Sequence, residues 1–199
     1  SVSFREALLR GQAPDYGLYM PAAIPRLDPS LTRRFAGMSY PDIAFHVVQP
    51  YTAGELADGD LFRLCADAYT FDVPIERVSG GLFVMRLDRG PTASFKDFAA
   101  RLMARLMACF ARREGRRLTV LVATSGDTGG AVADAFFGLA DISVVVLFPE
   151  REVTGRQRRQ MTTLGGNVAA FAVRGKFDDC QALVKRAFND PAFASFDLT

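Results

Sequence analysis

The chain has 199 residues, 49% of them apolar, and a formal net charge of +2 with acidic and basic residues interspersed. That length buries a sizeable core, and the near-neutral balance lacks the basic domain or stripe of a nucleic-acid partner. Cys65, Cys109 and Cys180 are far apart and form no C-x-x-C pair, which excludes a disulfide framework or structural zinc site and fits a reducing compartment.

Residues 1–78 read as short helices broken by proline and glycine. Ser3 is placed to cap a helix running through Arg10, with Gly11 where it would stop. Pro14, Gly17, Pro21 and Pro25 mark a loop from Ala13 to Asp28. Ser39-Tyr40-Pro41-Asp42 starts another helix, and Asp58 to Ala68 reads as a third. His46 is the only histidine, which excludes a His-rich metal site; in the apolar stretch Ile43 to Val48 it reads as a structural imidazole. The opening residues lack the charged-then-apolar form of a signal peptide, though without an initial Met a trimmed targeting segment stays open.

From Gly80 the pattern becomes strand, turn and helix in succession. Leu82 to Leu87 is a strand, followed by a turn at Asp88-Arg89-Gly90-Pro91. Phe95, Phe98, Ala99, Leu102, Met103, Leu106, Met107 and Phe110 recur at helical spacing as one wide apolar face. Arg112, Arg113, Arg116 and Arg117 follow it as a solvated helix end favoured by the helix dipole. Leu118 to Ala123 is a buried-type strand, Thr124 to Gly130 a Gly-rich turn, and Ala131 to Leu139 a helix rich in small residues. Ile142 to Phe148 is another buried strand stopped by Pro149. Residues 154–164 are helical, Val168 to Val173 is a strand, and Asp178 or Asp179 caps a helix through Phe188. Strands apolar on both faces and alternating with helices predict an α/β fold with a parallel sheet over residues 79–199, behind a small, mainly helical region over 1–78. No stretch approaches the roughly 20 apolar residues of a membrane span. The chain ends at Asp197-Leu198-Thr199 without a closing element, so the sheet domain is expected to be incomplete.

Two segments can carry chemistry. In Thr92-Ala93-Ser94-Phe95-Lys96-Asp97, Thr92 or Ser94 can cap the helix, with Ser94 and Asp97 at capping-box-like spacing. Lys96 then falls in the first turn, where the helix dipole opposes an ammonium, and shares a helix side with residues 99, 103 and 107 at the border of the buried face. Such a lysine holds more of the neutral amine that attacks an aldehyde carbon; the alternative is an ordinary snorkelling lysine at a helix start. The second segment, Thr124-Ser125-Gly126-Asp127-Thr128-Gly129-Gly130, sits at the carboxyl end of a strand, where α/β sheets place ligands. Its glycines allow close backbone approach, and free N–H groups with the Ser125 and Thr128 hydroxyls suit a carboxylate or phosphate. Asp127 is out of place in an anion site and is expected to receive a hydroxyl or a proton. The alternative is a tight glycine turn with caps. Glu150 after the next strand invites a dinucleotide reading, but G-D-T-G-G is neither G-x-G-x-x-G nor a P-loop.

Taken together these segments resemble the threonine synthases. Gly90-Pro91-Thr92-Ala93-Ser94-Phe95-Lys96-Asp97-Phe98 is similar to that family's G-P-T-x-x-F-K-D-F segment, whose lysine carries pyridoxal phosphate. Ala123 to Gly129 is similar to its A-T-S-G-D-T-G loop, Gln160-Met161-Thr162-Thr163 to Q-M-T-T, and Gly175 to Gln181 to G-x-F-D-D-C-Q. Near the start, Phe4 to Leu8 and Asp15 to Pro21 resemble its F-x-E-A…D-G-G-L-Y-x-P opening. Three positions depart: Tyr16 stands where the family usually has glycine, Asp88-Arg89 replaces F-H, and Glu150-Arg151-Glu152 lacks a glycine.

The resemblance implies a fold-type II pyridoxal 5'-phosphate enzyme that converts O-phospho-L-homoserine and water to L-threonine and phosphate. It implies that Lys96 holds the cofactor and, once freed by the substrate amine, acts as general base and acid at the α and β carbons. It further implies that Thr124, Ser125, Gly126, Thr128 and Gly129 bind the substrate's carboxylate or phosphate, that Asp127 faces the cofactor's ring hydroxyl, and that Phe95 packs beside the site. No metal, nucleic acid or membrane enters this reading, and it implies a monomer in the cytoplasm. The alternatives are a related dehydratase, although S-G-D-T-G replaces the usual S-G-N-x-G, a phospho-lyase, or a non-catalytic anion-binding domain. The family continues beyond Thr199 with a segment resembling S-A-N-S-I-N and a Gly-rich loop for the cofactor phosphate, so this piece alone is expected not to turn over substrate.

Overall fold

The computed structural model describes every residue except Tyr16, so the departure noted there lies outside the described residues. The chain forms two compact units, Ser1–Pro74 and Ile75–Thr199.

The first unit is helical. Helix α1 (Phe4–Arg10) is capped by Ser3, whose hydroxyl accepts the Glu6 N–H at 3.2 Å, and ends at Gly11 with φ 70°. Helix α2 (Pro29–Arg34) lies beyond the expected loop and was not foreseen, although its start is written locally. Asp28 accepts the Ser30 N–H at 2.6 Å and Pro29 fills a first-turn position that needs no donor. After a 3-10 turn at Phe35–Gly37, helix α3 (Tyr40–Thr52) starts on a reciprocal capping box between Ser39 and Asp42. Helix α4 (Asp58–Ala68) packs on α3, burying Leu61, Cys65 and Ala68. His46 sits half-buried on α3, edge-on to Phe45 at 5.2 Å between ring centroids.

The second unit opens with an antiparallel hairpin of β1 (Ile75–Ser79) and β2 (Leu82–Met85). β1 escaped the sequence reading because its residues, Ile-Glu-Arg-Val-Ser, are exposed throughout and carry little apolar pattern. Arg86 closes the hairpin's end, pairing with Asp88 at 2.7 Å and Glu76 at 2.6 Å; its guanidinium holds the Asp88 carboxyl down at about 2.

Helix α5 (Lys96–Glu114) leads into strand β3 (Leu118–Ala123), helix α6 (Asp127–Phe136), strand β4 (Ile142–Pro149), helix α7 (Gly155–Thr162), strand β5 (Val168–Val173) and helix α8 (Phe177–Asn189). The three long strands form a parallel sheet in the order β3-β4-β5, with Leu118 opposite Ile142 and Val144 opposite Val168. This is the expected α/β architecture. On one sheet face Leu118, Val120, Ile142, Val144, Val146 and Phe148 are buried; α6 packs on β4, and α5 packs on α6. The other face meets α8, and there Leu121, Val145 and Leu147 are only half-buried. The last residues run along β3, the Leu121 N–H donating to the Thr199 carbonyl at 3.0 Å.

Two element starts differ from expectation. Helix α6 begins at Asp127 rather than Ala131, so Gly129 and Gly130 belong to its first turn instead of the preceding loop. Asp179 supports α8 from inside the helix, its carboxylate accepting the Lys176 N–H at 2.7 Å.

Candidate functional site

The Lys96 segment is built around a buried carboxylate. Asp97 is completely buried, and its two oxygens accept the Thr92 N–H at 2.9 Å and the Thr92 hydroxyl at 2.6 Å. The carboxylate therefore turns back across the loop to Thr92 rather than closing a capping box with Ser94. The N-cap position of the helix falls to Phe95 rather than Thr92 or Ser94, and the Ser94 hydroxyl accepts the Lys96 N–H at 3.2 Å just before it. Gly90 has to be glycine here, since a Cβ would stand 2.7 Å from that of Asp97. These bonds brace the loop immediately before Lys96.

Lys96 is half-buried in the first turn of α5, with its Nζ 4.4 Å from the centroid of the Phe95 ring. Such a cation–π contact contributes about 0.5–1 kcal/mol at an exposed site. Phe95 itself is 60% exposed, so helical periodicity misplaced it on the core face. The same correction applies to Lys96's expected neighbours, for Ala99 is exposed and Met103 half-buried, while Met107 alone is buried. The core face of α5 instead runs through Ala100, Leu102, Ala104, Leu106, Met107, Phe110 and Ala111.

The second segment follows β3 at its carboxyl end. Thr124 is 1% exposed, and its Oγ1 accepts the N–H groups of Gly126 at 2.9 Å and Gly129 at 2.8 Å. The hydroxyl and these two N–H groups thus hold the loop to itself. Ser125, Asp127 and Thr128 are exposed at the start of α6, where backbone N–H groups are left over by the helix geometry. Gly126 has φ 143°, open only to glycine, and Gly129 approaches Thr124 so closely that a Cβ would lie 2.7 Å from the threonine's own.

Helix α7 joins the two segments. The Gln157 amide donates to Asp127 Oδ1 at 2.8 Å, and one turn later the Gln160 amide donates to the Thr92 carbonyl at 3.3 Å. Both glutamines escaped selection as site residues. The T-x-x-Q spacing of Thr154 and Gln157 announces a helix start, and the structure has that capping box. The spans of 30 and 68 residues that the two glutamines bridge have no local trace.

Residues 1–69 match the family model described as the threonine synthase N terminus, and residues 70–196 match that of the pyridoxal-phosphate dependent enzymes. A threonine synthase of Pseudomonas aeruginosa is 37% identical over 97% of this chain and 42% of its own length. One of Schizosaccharomyces pombe is 40% identical over 96% of this chain and 40% of its own. The crystal structure of PLP-bound threonine synthase from Brucella melitensis superposes with a TM-score of 0.93 at 41% identity, over the whole chain and 44% of that protein. The chain thus spans less than half the length of the relatives it matches. On this evidence it belongs to the pyridoxal-phosphate-dependent enzymes and is similar to threonine synthases along almost its whole length.

Proposed function

We propose that the protein carrying this chain is a threonine synthase, converting O-phospho-L-homoserine and water to L-threonine and phosphate, with pyridoxal 5'-phosphate held on Lys96. Residues 1–78 are its N-terminal region and residues 79–199 the first part of its cofactor-binding domain, and it works as a monomer in the cytoplasm. No helix among the described residues is long and apolar enough to cross a membrane.

One observation carries the reading: helix α7 ties the braced loop before Lys96 and the Asp127 loop together through two side-chain amides. An amine nucleophile and an anion-suited loop are thereby held to one rigid element, as a reaction between an aldehyde cofactor and an anionic amino acid requires. The donor set fits the cofactor. Lys96 offers an amine at a half-buried position, the exposed Ser125 and Thr128 add hydroxyls at a helix start, and Asp127 adds an acceptor beside them.

Pyridoxal phosphate supplies an aldehyde for amine exchange and a ring that absorbs carbanion charge. Lys96 would hold it, and the Lys96 amine would move protons at the substrate's α and β carbons. Phosphate leaves from the γ carbon, and water adds at the β carbon. Ser125, Thr128 and the leftover N–H groups at the start of α6 orient the substrate's carboxylate or phosphate. Thr124, Gly126 and Gly129 shape that loop from within. Asp127 would accept from the ring hydroxyl, and Phe95 flanks the Lys96 amine.

The test is borohydride reduction of the gene product mixed with pyridoxal phosphate, followed by peptide mass mapping. A phosphopyridoxyl adduct on the Lys96 peptide, absent in Lys96→Ala, is expected. A folded sample with no adduct there refutes the proposal.

A further inference from the structure

Gln157 belongs to none of the roles assigned above, yet its amide meets Asp127 and lies against Gly126. Its Oε1 accepts both the N–H and the hydroxyl of Thr154 at 2.9 Å. A backbone N–H can only donate, so this contact settles which end of the amide is oxygen. The Nε2 end is therefore the one that meets Asp127 Oδ1 at 2.8 Å, as a donor. The amide also lies against the bare Cα of Gly126, where a Cβ would stand 2.8 Å from Oε1. The glycine thus makes room for a protein side chain at that point.

The helix that carries Gln157 is fixed independently. Met161 is 1% exposed and packs against Gly129, and Gln160 reaches the Thr92 carbonyl. Gln157 is consequently presented to Asp127 from a helix that cannot slide without disturbing the Lys96 loop. The choice of an amide matters chemically. A lysine or arginine here would pair with the carboxylate and neutralise it, whereas an amide donates one hydrogen bond and leaves the charge in place. Oδ1 is engaged, and Oδ2 has no partner among the described residues, so it remains an acceptor.

We propose that Gln157 is a positioning residue, which aims the Asp127 carboxylate at the ligand by holding one oxygen while its own carbonyl caps α7. This rests on the cofactor reading of Lys96 and Asp127.

Gln157→Glu isolates the donor role, for the new side chain has the same shape and still accepts from Thr154 but cannot donate to Asp127. Two measurements apply to it. In the cofactor-free gene product, amide hydrogen exchange over residues 125–128 is expected to quicken at least about tenfold, the opening of a loop that has lost one hydrogen bond and gained a like charge. In the loaded protein, the ratio of the bound cofactor's two near-ultraviolet and visible absorption bands is expected to change at least about twofold, because that ratio reports the environment of the ring hydroxyl.

The exchanged pair Gln157→Glu with Asp127→Asn restores an amide–carboxylate bond with the roles reversed. It should recover the slow exchange but not the band ratio, since no carboxylate then stands at residue 127. A merely structural bond would show in Gln157→Glu as quickened exchange with unchanged bands, and that result overturns the proposal. So does Gln157→Glu with unchanged exchange and unchanged bands. Absence of the Lys96 adduct from the unmodified protein is a separate failure: it removes the cofactor reading, and the proposal with it, whatever the exchange data say.

Discussion

Thr124→Val tests whether one hydroxyl organises the loop between β3 and α6. Valine matches threonine in shape, so the substitution exchanges a hydroxyl for a methyl at a side chain that is 1% exposed. The Gly126 and Gly129 N–H groups, now 2.9 and 2.8 Å from Oγ1, lose their acceptor, and both residues are buried. Each stranded buried donor costs about 1–3 kcal/mol. The added methyl returns about 0.8 kcal/mol through burial. The net expectation is a loss of about 1–5 kcal/mol, measured by urea unfolding of the chain at neutral pH. Thr124→Ser is the control, because it keeps the acceptor and removes only a buried methyl, at about 1 kcal/mol. Serine should therefore be the milder change although it alters the shape more. A valine variant within about 0.5 kcal/mol of the parent, or a serine variant less stable than the valine one, would refute the argument that hydrogen bonding rather than packing holds this loop.

Neighbouring glycines in the first turn of α6 should respond in opposite ways. Gly129→Ala brings a Cβ to 2.7 Å from Thr124 Cβ and 2.9 Å from Met161 Sδ, and such overpacking costs about 1–3 kcal/mol. Gly130→Ala meets the Gln160 side chain at 3.3 Å to Oε1 and at ordinary contact distance, 3.6 Å, to Cβ, so alanine's helix propensity leaves it neutral or up to about 1 kcal/mol more stable. Melting curves that rank the two in reverse would contradict this packing. Asp134 gives a pH test. Burial pushes its carboxyl above the ordinary value; Arg101, 3.5 Å away, pulls it down, and the charge of Asp97 pushes it up again. A carboxyl raised in the folded state contributes stability that is present below its unfolded value and lost as pH rises through the folded one. Urea unfolding should accordingly show the parent losing ground to Asp134→Asn as pH rises above about 4. A parent that gains on the variant over that range would mean that the Arg101 pair outweighs burial.

Much of this architecture was legible because its causes are local. Ser3, Gly11 and the Ser39–Asp42 pair name the ends of α1 and α3 within a few residues of sequence. The apolar runs at 118–123, 142–148 and 168–173 read as parallel strands because helices cover at least one face of each. Strand β1 was invisible for the opposite reason, since a hairpin exposed on both sides imposes no alternation on its residues. Phe95 shows where periodicity fails: at a helix's first residues the side chains point past the core, and the spacing that holds from Ala100 to Ala111 no longer applies.

The site was legible as two separate loops and not as one assembly. Lys96 and the S-G-D-T-G turn can each be recognised from contiguous residues, but what relates them is a pair of hydrogen bonds from α7 that skip 30 and 68 positions. A capping glutamine satisfies a local rule completely, so nothing in the sequence indicates that its amide nitrogen has a second task. That second task is nevertheless constrained by the first. Because Thr154 fixes the oxygen end of Gln157, the nitrogen end must face Asp127, and because it must do so past residue 126, that residue has to be glycine. The glycine that looked like clearance for a ligand is accounted for by a side chain, and the exposed side chains of the loop are those of Ser125, Asp127 and Thr128.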